Sequence, residues 1–343
     1  MQHYDLALIG FGNVGRALAR LLLRKQPDLR DRYGLTFAVT GIYTGRHGLA
    51  IDARGLDLPG ALELAETGQR LDSLSTQDST PIDGLDFIRH VPAQVLFENS
   101  PVNHLTGQPA VDHLRAALQA GMHAITANKG PVVYAYSELN DLAAQCGRGF
   151  LFESAVMDGA PIFSLFREPL PAANLRGFFG ILNSCTNLLL GLMNQGQTFD
   201  QAVEYARSIG ITETDPSADI DGWDAAIKVA ALITVLMGIP FTPRQVDRTG
   251  IRGITPQMLT DARQAGKRWK LVCTARRKGG EIHGRVAPEM VSPDSPLYSI
   301  GGTSSYVQFE LDVLPGLGIV ENDPGPDTTA YGLLADFINA IRG

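Results

Sequence analysis

Short apolar runs alternate with longer segments of helical spacing over the first 150 residues. Tyr4–Ile9 is such a run, and Arg16–Lys25 follows it with leucines at 18, 21, 22 and 23, a spacing that predicts a helix. The alternation continues in the predicted strands Thr36–Tyr43, Val95–Glu98, Ala124–Ala127 and Phe150–Glu153 and the predicted helices Ala110–Ala120 and Glu138–Cys146. Strands and helices in this order predict an α/β domain on a doubly wound parallel sheet.

Beyond residue 150 the pattern is that of an α+β domain with a mixed sheet. Arg176–Leu182 is a predicted strand, and alternating segments between Arg268 and about Val320, such as Leu271–Arg276 and Val307–Val313, predict antiparallel strands. The predicted helices are Leu188–Asn194, Gln201–Ser208 and one containing Val229–Met237. We therefore expect a first domain at 1–150 and a second at 151–326, with Pro315–Pro326 as a return linker. The last helix, within 327–343, is expected to pack back on the first domain.

Composition and charge narrow the functional classes. Hydrophobic residues make up 44% of the 343 positions and charged residues 19%, as in an ordinary soluble protein. A net charge of −7 gives no basic surface for nucleic acid or an anionic membrane. Cys146, Cys185 and Cys273 are too widely spaced for a disulfide framework or a zinc site, so a reducing cytoplasm is expected. No apolar run approaches a bilayer span, and no signal peptide is recognisable.

A glycine motif directly follows the first predicted strand. Gly10-Phe11-Gly12-Asn13-Val14-Gly15 lies between that strand and the first helix, the context in which G-x-G-x-x-G indicates dinucleotide binding. The glycines permit a tight turn and a close approach to a pyrophosphate, whose charge meets the exposed N–H groups of the helix start. A purely structural glycine turn is the alternative.

The second predicted strand should carry the residue that reads the adenosine ribose. It ends without the Asp or Glu that usually binds the 2′-hydroxyl of NAD, whereas Arg46 follows and can bind a 2′-phosphate. NADP is therefore the expected cofactor and NAD the alternative. Lys129 and Ser100 follow two further strands, at the sheet edge where doubly wound folds bind ligands.

The stretch from Glu213 to Lys228 concentrates carboxylates beside one lysine. Asp224 and Lys228 are four apart and share a helix face that continues into apolar residues. A lysine buried there needs carboxylate partners and can exchange protons near neutral pH. The stretch therefore favours the wall of a polar pocket over a solvated surface ion pair.

The loop after Phe152 is a candidate cation site. Phe152-Glu153-Ser-Ala-Val156-Met-Asp158-Gly-Ala160-Pro161 breaks a predicted strand and leads into a helix. Its backbone carbonyls can bind a monovalent cation, and helix capping is the alternative explanation.

Taken in order, these motifs resemble those of homoserine dehydrogenases over nearly the whole chain. The resemblance rests on the glycine turn, Thr126-Ala-Asn128-Lys129, Phe152-Glu153-Ser-Ala-Val156 and Glu213-Thr-Asp215-Pro216 through Lys228. It implies reversible NAD(P)-dependent interconversion of L-homoserine and L-aspartate 4-semialdehyde, a step toward threonine, methionine and isoleucine. It also implies a homodimer formed through the second domain's sheet. The chain ends too soon for the C-terminal ACT domain of many members, so threonine feedback through one is not expected.

The resemblance also assigns roles to individual residues. It implies that Lys228 is the acid/base group and that Lys129 lies near the nicotinamide. It places four residues around the substrate: Glu213, Asp219, Asp224 and Gly210. It implies a sodium ion bound by the backbone carbonyls of Glu153, Val156, Asp158 and Ala160. It places Gly325 near the cofactor.

One departure from the family pattern concerns the substrate. Asn183-Ser184-Cys185-Thr186-Asn187 stands where the family usually has Asn-Gly-Thr-Thr-Asn, so the thiol of Cys185 replaces a hydroxyl and is a weaker hydrogen-bond partner. We expect this to affect substrate affinity more than reaction type. The alternative functions are another NADP-dependent amino-acid-semialdehyde reductase and a non-catalytic nucleotide-binding regulator on the same fold.

Overall fold

The computed structural model of the protein describes residues 1–76, 81–212 and 215–342. They form two compact units: unit 1 is residues 1–161 with the C-terminal segment from Gly325, and unit 2 is Ile162–Pro324. The domain boundaries expected at residues 150 and 326 stay predictions, because compactness alone does not establish independent folding.

Unit 1 begins with the alternating strands and helices that the hydrophobic pattern predicts. Its elements up to residue 161 are β1 (Gln2–Ile9), α1 (Asn13–Tyr33), β2 (Leu35–Thr44), β3 (Gly48–Ile51), α2 (Leu58–Glu66), α3 (Gly84–His90), β4 (Val95–Glu98), α4 (Ala110–Gln119), β5 (His123–Thr126), α5 (Lys129–Tyr134), α6 (Tyr136–Cys146), β6 (Phe150–Leu151) and α7 (Ser154–Met157).

Unit 2 combines helices with longer antiparallel strands. Its elements are α8 (Ile162–Arg167), β7 (Leu175–Ile181), α9 (Ser184–Asn194), α10 (Phe199–Ser208), α11 (Ser217–Ile220), α12 (Trp223–Leu236), β8 (Asp247–Arg248), α13 (Pro256–Gln264), β9 (Arg268–Lys278), β10 (Glu281–Val291), β11 (Ser305–Leu311) and β12 (Leu317–Glu321). The chain then returns to unit 1 as α14 (Pro326–Arg342).

The sheet of unit 1 has the strand order β3-β2-β1-β4-β5-β6. All its pairs are parallel except that of β3 with β2, which is antiparallel. The expected doubly wound arrangement is confirmed, with β3 as an added antiparallel edge. Strand order reverses between β1 and β4, so the ends of these two strands flank the crevice where such folds bind ligands.

Helices cover both faces of this sheet. One face buries Leu6 and Leu8 against Leu18 and Leu22 of α1, and Phe337 of α14 joins the same core. The Phe337 ring makes edge contacts with the rings of Tyr4 and Phe97, at centroid distances of 5.9 and 6.2 Å. The last helix thus packs on the strands next to the glycine motif.

The sheet of unit 2 has the order β12-β11-β7-β9-β10-β8 and is mixed, because β8 pairs parallel to β10 and the other neighbours pair antiparallel. Gly284 of β10 faces α12, since a Cβ there would contact Ile233 and Val229. A separate apolar cluster includes Ile181, Val272 and Tyr306.

The expectation that Pro315–Pro326 is only a linker is wrong. Leu317–Glu321 is strand β12, which pairs antiparallel with β11. In this pairing Val307 lies opposite Ile319, and Tyr306 lies opposite Val320. The sequence did not indicate this strand because Gly318 lies within it and further glycines and prolines lie beside it. An edge strand tolerates such residues because one side of its ladder needs no partner. No helix in the described ranges is long and apolar enough to cross a membrane.

Candidate active site

The three glycines of the turn after β1 have different surroundings. Gly10 has φ +88°, and a Cβ there would collide with the carbonyl oxygen of Asn99. A Cβ at Gly15 would collide with the carbonyl oxygen of Gly10. A Cβ at Gly12, in contrast, would have no described atom within 4 Å. Packing therefore requires the first and third glycines, whereas the second leaves space above the backbone.

The start of α1 is suited to an anion. Gly12 is the N-cap residue and has no side chain that could cap the helix, so the first N–H groups receive no hydrogen bond from an N-cap side chain. The helix continues for 21 residues to Tyr33, and its dipole favours negative charge at this end. These features fit the pyrophosphate of a dinucleotide.

The second side of the crevice is formed after β4. The backbone N–H of Asn99 donates to Ile9 O at 2.7 Å, which ties this turn to the end of β1. The side-chain N and O of Asn99 and the Oγ of Ser100 are buried and bond to nothing in the described part of the chain. Buried polar atoms normally have partners, so these atoms are suited to a bound ligand. Ser100 was predicted from the sequence and Asn99 was missed, although an Asn directly after an apolar strand was the available signal.

Lys129 lies at the same end of the sheet as Ser100. It is the first residue of α5, whose N-cap Asn128 accepts a hydrogen bond from Gly130 N at 2.9 Å. The Asn128 side-chain amide also donates to Ser100 O at 3.1 Å, so one asparagine connects the two predicted residues. Lys129 is partly buried.

Arg46 and Gly325 occupy turns of unit 1. Arg46 is exposed in the short turn between β2 and β3, where its backbone N–H lies 3.4 Å from Thr44 Oγ1. The backbone N–H of Gly325 donates to Thr328 Oγ1 at 2.8 Å just before α14, and a Cβ at Gly325 would meet nothing within 4 Å. The Arg46 side chain is therefore accessible, and the backbone at Gly325 has open space beside it.

The predicted cation carbonyls lie on one short stretch around α7. Asp158 has the strained backbone angle φ +36°, and its carboxylate accepts from Thr328 Oγ1 at 3.2 Å. Its carbonyl oxygen lies against α14, 2.7 Å from the place a Cβ at Gly332 would take. Within the described ranges no group of three or more His, Cys, Asp or Glu side chains is arranged to hold a metal. The backbone sodium site at Glu153, Val156, Asp158 and Ala160 stays a prediction.

Unit 2 brings the lysine of α12 together with its predicted carboxylate. Lys228 Nζ lies 3.6 Å from Asp224 Oδ2, and the two side chains are only 13% and 15% exposed. Nζ also donates to the carbonyl oxygen of Leu182 at 2.8 Å. A side chain held by one hydrogen bond and one ion pair in a largely buried place is a pocket group and not a solvated surface charge.

Asp219 is connected to this pair through Asn183, which the sequence indicated only as the first residue of the motif that contains Cys185. The Asn183 side-chain amide donates to Asp219 Oδ1 at 2.7 Å and to Asp224 Oδ2 at 3.0 Å. Asp219 belongs to α11 and Asp224 to α12, so the amide joins two elements. Asn183 is the N-cap of α9, which begins at Ser184, four residues before the predicted start at Leu188.

Cys185 is buried beside this cluster. Burial raises the pKa of its thiol well above the ordinary value, and the Asp219 carboxylate raises that pKa further, while a hydrogen bond with Thr212 opposes the change. Gly210 has φ +74° just after α10, as expected for a helix end. Glu213, the other predicted substrate carboxylate, lies outside the described residues.

Comparison with known families decides the identity of this arrangement. The chain matches a family model described as homoserine dehydrogenase over residues 161–338 and one described as homoserine dehydrogenase, NAD binding domain, over residues 10–153. The chain belongs to the homoserine dehydrogenase family. It is an oxidoreductase that acts on a CH–OH group, and unit 1 is its nicotinamide-dinucleotide-binding part.

Several homoserine dehydrogenases are similar to this chain over almost their full length. The enzyme of Methanocaldococcus jannaschii is 35% identical over 98% of this chain and 98% of its own length. An NAD(+)-dependent homoserine dehydrogenase of Pseudomonas canavaninivorans is 33% identical over 99% of this chain and 96% of its own. A hyperthermophilic archaeal homoserine dehydrogenase solved in complex with NADPH is 30% identical, with a TM-score of 0.84 and coverage of 99% and 98%.

Proposed function

We propose that the chain oxidises L-homoserine to L-aspartate 4-semialdehyde, and catalyses the reverse reduction, with Lys228 exchanging the proton of the substrate hydroxyl. The observation that carries this proposal is the largely buried Lys228, held between the Leu182 carbonyl and Asp224. Oxidation of a primary alcohol removes a hydride from carbon and a proton from oxygen. The nicotinamide, when bound, takes the hydride, so the protein must provide the group that takes the proton.

The residues around Lys228 suit the rest of an amino alcohol. Asp219, together with Glu213, is proposed to pair with the substrate ammonium, whose burial would be costly without negative partners. Asp224 pairs with Lys228 and is proposed to line the side of the pocket that holds the substrate hydroxyl. Gly210 and Cys185 complete the residues of unit 2 that we propose to orient the substrate, and Lys129 of unit 1 is proposed to orient the nicotinamide of the coenzyme. A proton donor held in place in this way contributes roughly 10²–10⁴-fold to the rate.

We propose NADP as the preferred coenzyme, with the Gly10–Gly15 turn, Asn99 and Ser100 binding it. Arg46 follows β2 at the position that reads the ribose, and its exposed guanidinium suits a 2′-phosphate. Relatives of both kinds occur, one named NAD(+)-dependent and one solved with NADPH. Gly325, at the start of α14, is proposed to approach the coenzyme with its backbone.

An acylating semialdehyde dehydrogenase is the rival that the cysteines disfavour. That chemistry requires a thiolate nucleophile. Burial raises the pKa of the Cys185 and Cys273 thiols, which keeps both protonated, and Cys146 is exposed at the end of α6. A regulator without activity is disfavoured because Lys129, Asp224 and Lys228 are all present.

We also propose homodimer formation through the unit 2 sheet and sodium binding near α7. Strands β10 and β12 expose Met290 and Val320, each about half accessible, as expected of surfaces that a second copy covers. Light scattering of the purified protein measures the first, and initial rates in sodium against potassium salts measure the second. A cytoplasmic location stays a prediction, supported by the three free cysteines.

Initial rates of L-homoserine oxidation with NAD and NADP in parallel test the central proposal. Homoserine-dependent reduction of either coenzyme supports it, and a higher kcat/KM with NADP supports the coenzyme preference. Phosphate-dependent oxidation of the semialdehyde would identify the rival instead. Coenzyme binding without turnover on any amino alcohol would identify the regulator.

A further inference from the structure

The side chain of Asn183 lies at the centre of the unit 2 cluster. It is only 4% exposed, and it follows Leu182, whose carbonyl oxygen accepts from Lys228. Its own amide bonds Asp219 and Asp224. Two consecutive residues therefore contact the lysine and both carboxylates.

The orientation of the Asn183 amide follows from its neighbour Thr186. Thr186 N donates to Asn183 Oδ1 at 2.8 Å, and Thr186 Oγ1 lies 2.7 Å from the same oxygen. A backbone N–H can only donate, so the atom that faces it must be the amide oxygen. The NH2 group must then face the carboxylates, and its two hydrogens match the two carboxylate oxygens in number.

These hydrogen bonds hold together groups that would otherwise repel. Asp219 and Asp224 carry like charges and share one donor, while Asp224 Oδ2 also lies 3.6 Å from Lys228 Nζ. A donor shared by two carboxylates offsets their repulsion and fixes each oxygen in direction as well as in distance.

We infer that Asn183 is a positioning residue of the reaction. Its NH2 group fixes the positions of the Asp219 and Asp224 carboxylates relative to Lys228. This inference rests on the proposed function, because it assigns the reaction geometry to those three residues. It predicts that loss of the NH2 group misplaces both the ammonium-binding carboxylate and the lysine. Misplacement by about 1 Å can reduce a rate by roughly 10²-fold.

Helix capping alone does not explain the choice of asparagine. Asn183 is the N-cap of α9, but the cap uses only the amide oxygen, which accepts from Thr186 N. Asp and Ser are comparably good N-cap residues. The NH2 group is therefore what separates a positioning role from a capping role.

Two substitutions remove the NH2 group and keep a capping oxygen. Asn183→Ser leaves the carboxylates without their shared donor, and Asn183→Asp places a third carboxylate oxygen against them. We expect Asn183→Ser to lower kcat/KM for homoserine by roughly 10- to 100-fold, through a higher homoserine KM as well as a lower kcat. The coenzyme KM should stay within about twofold. Asn183→Asp should lose at least as much, because like charges then meet.

Thr255→Ala provides a matched control in the same unit. Thr255 is the N-cap of α13, where its hydroxyl accepts from Met258 N at 3.2 Å. Its loss should lower the thermal unfolding midpoint and leave both KM values unchanged. Thermal unfolding of each variant gives the folded fraction with which kcat is compared.

The kinetic pattern separates the outcomes. Wild-type kinetics in Asn183→Ser and Asn183→Asp overturn the inference and leave the proposed function standing if the wild type oxidises homoserine. If Asn183→Ser lowers only kcat, and by no more than its folded fraction, as expected for Thr255→Ala, then Asn183 acts as a helix cap. That result also overturns the inference. A wild type inactive on homoserine with either coenzyme refutes both proposals, and a raised homoserine KM in a folded Asn183→Ser supports the inference.

Discussion

The dinucleotide turn of unit 1 and the lysine cluster of unit 2 are built from different parts of the chain. The turn consists of backbone: two glycines that packing requires, a third that leaves open space, and a helix start without a capping side chain. The cluster consists of side chains that bond one another, with Asn183 between Asp219 and Asp224 and with Lys228 beside them. The turn should therefore be sensitive to added volume and the cluster to altered chemistry.

The largest effect is expected from removing the Lys228 amine while keeping its length. Lys228→Met retains most of the side-chain volume and leaves the substrate hydroxyl without its proton partner, so kcat should fall roughly 10²–10⁴-fold. Coenzyme affinity, which depends on the turn of unit 1, should stay unchanged in a fluorescence titration with NADPH. Turnover of Lys228→Met near the wild-type level would show that the reaction does not depend on proton exchange by the Lys228 amine.

Lys270 provides a contrasting lysine in unit 2, because no described carboxylate pairs with it. Its Nζ donates to Asn187 Oδ1 at 2.7 Å and to the carbonyl oxygen of Ile300, and burial lowers its pKa from 10.5 to about 8. Between pH 8 and 10.5 the unfolded chain therefore binds more protons at this site than the folded chain. The contribution of Lys270 to the free energy of unfolding must therefore rise with pH across that window, since the burial cost is lost as the folded amine deprotonates.

Replacing Lys270 tests the direction of this pH dependence. The free energy of unfolding of the wild type, relative to that of Lys270→Met, should rise between pH 8 and pH 10.5 by on the order of 3 kcal/mol. Urea unfolding at several pH values measures the difference, in which the other titrating groups cancel. Lys278→Met, at the exposed end of the same strand, controls for the loss of one lysine. A difference that stays flat or falls with pH contradicts the prediction.

The glycines of unit 1 test sensitivity to volume. A methyl group at Gly15 would collide with the Gly10 carbonyl, so Gly15→Ala should lower the free energy of unfolding by about 1–3 kcal/mol. Gly12→Ala adds the same methyl group into open space, so stability should be retained while the coenzyme KM rises roughly tenfold, about 1.4 kcal/mol. Denaturant unfolding and coenzyme kinetics measure the two quantities. Equal effects of both substitutions on stability would show that Gly12 is structural.

The turn was predictable from sequence because its signals are local. A strand, three glycines at fixed spacing and a helix lie within 33 residues, and each part constrains the next. Lys228 and Asp224 were predictable for the same reason, since helical spacing alone places them together.

The contacts of Asn183 and Lys270 could not be predicted in this way. Asn183 is 36 and 41 positions from the carboxylates that it bonds, and Lys270 is 83 from Asn187. Only the pairing of strands and the packing of helices bring such residues together. Strand β12 was missed for the opposite reason, because its local glycine and proline content favoured a linker.

Arg46 offers the most selective test, since its proposed contact is with the 2′-phosphate alone. It is exposed in the turn after β2, and its proposed partner is the 2′-phosphate that NADP has and NAD lacks. Arg46→Ala should therefore reduce kcat/KM with NADP about tenfold, equivalent to about 1.4 kcal/mol, and leave kcat/KM with NAD unchanged. Arg54→Ala is the control, because Arg54 is 82% exposed and already paired with Asp52 at 3.3 Å. Initial rates with both coenzymes at fixed ionic strength decide the matter, since screening by salt weakens an exposed contact of this kind. If Arg46→Ala weakened NAD and NADP equally, Arg46 would act through the shape of the turn and not through its charge on the 2′-phosphate.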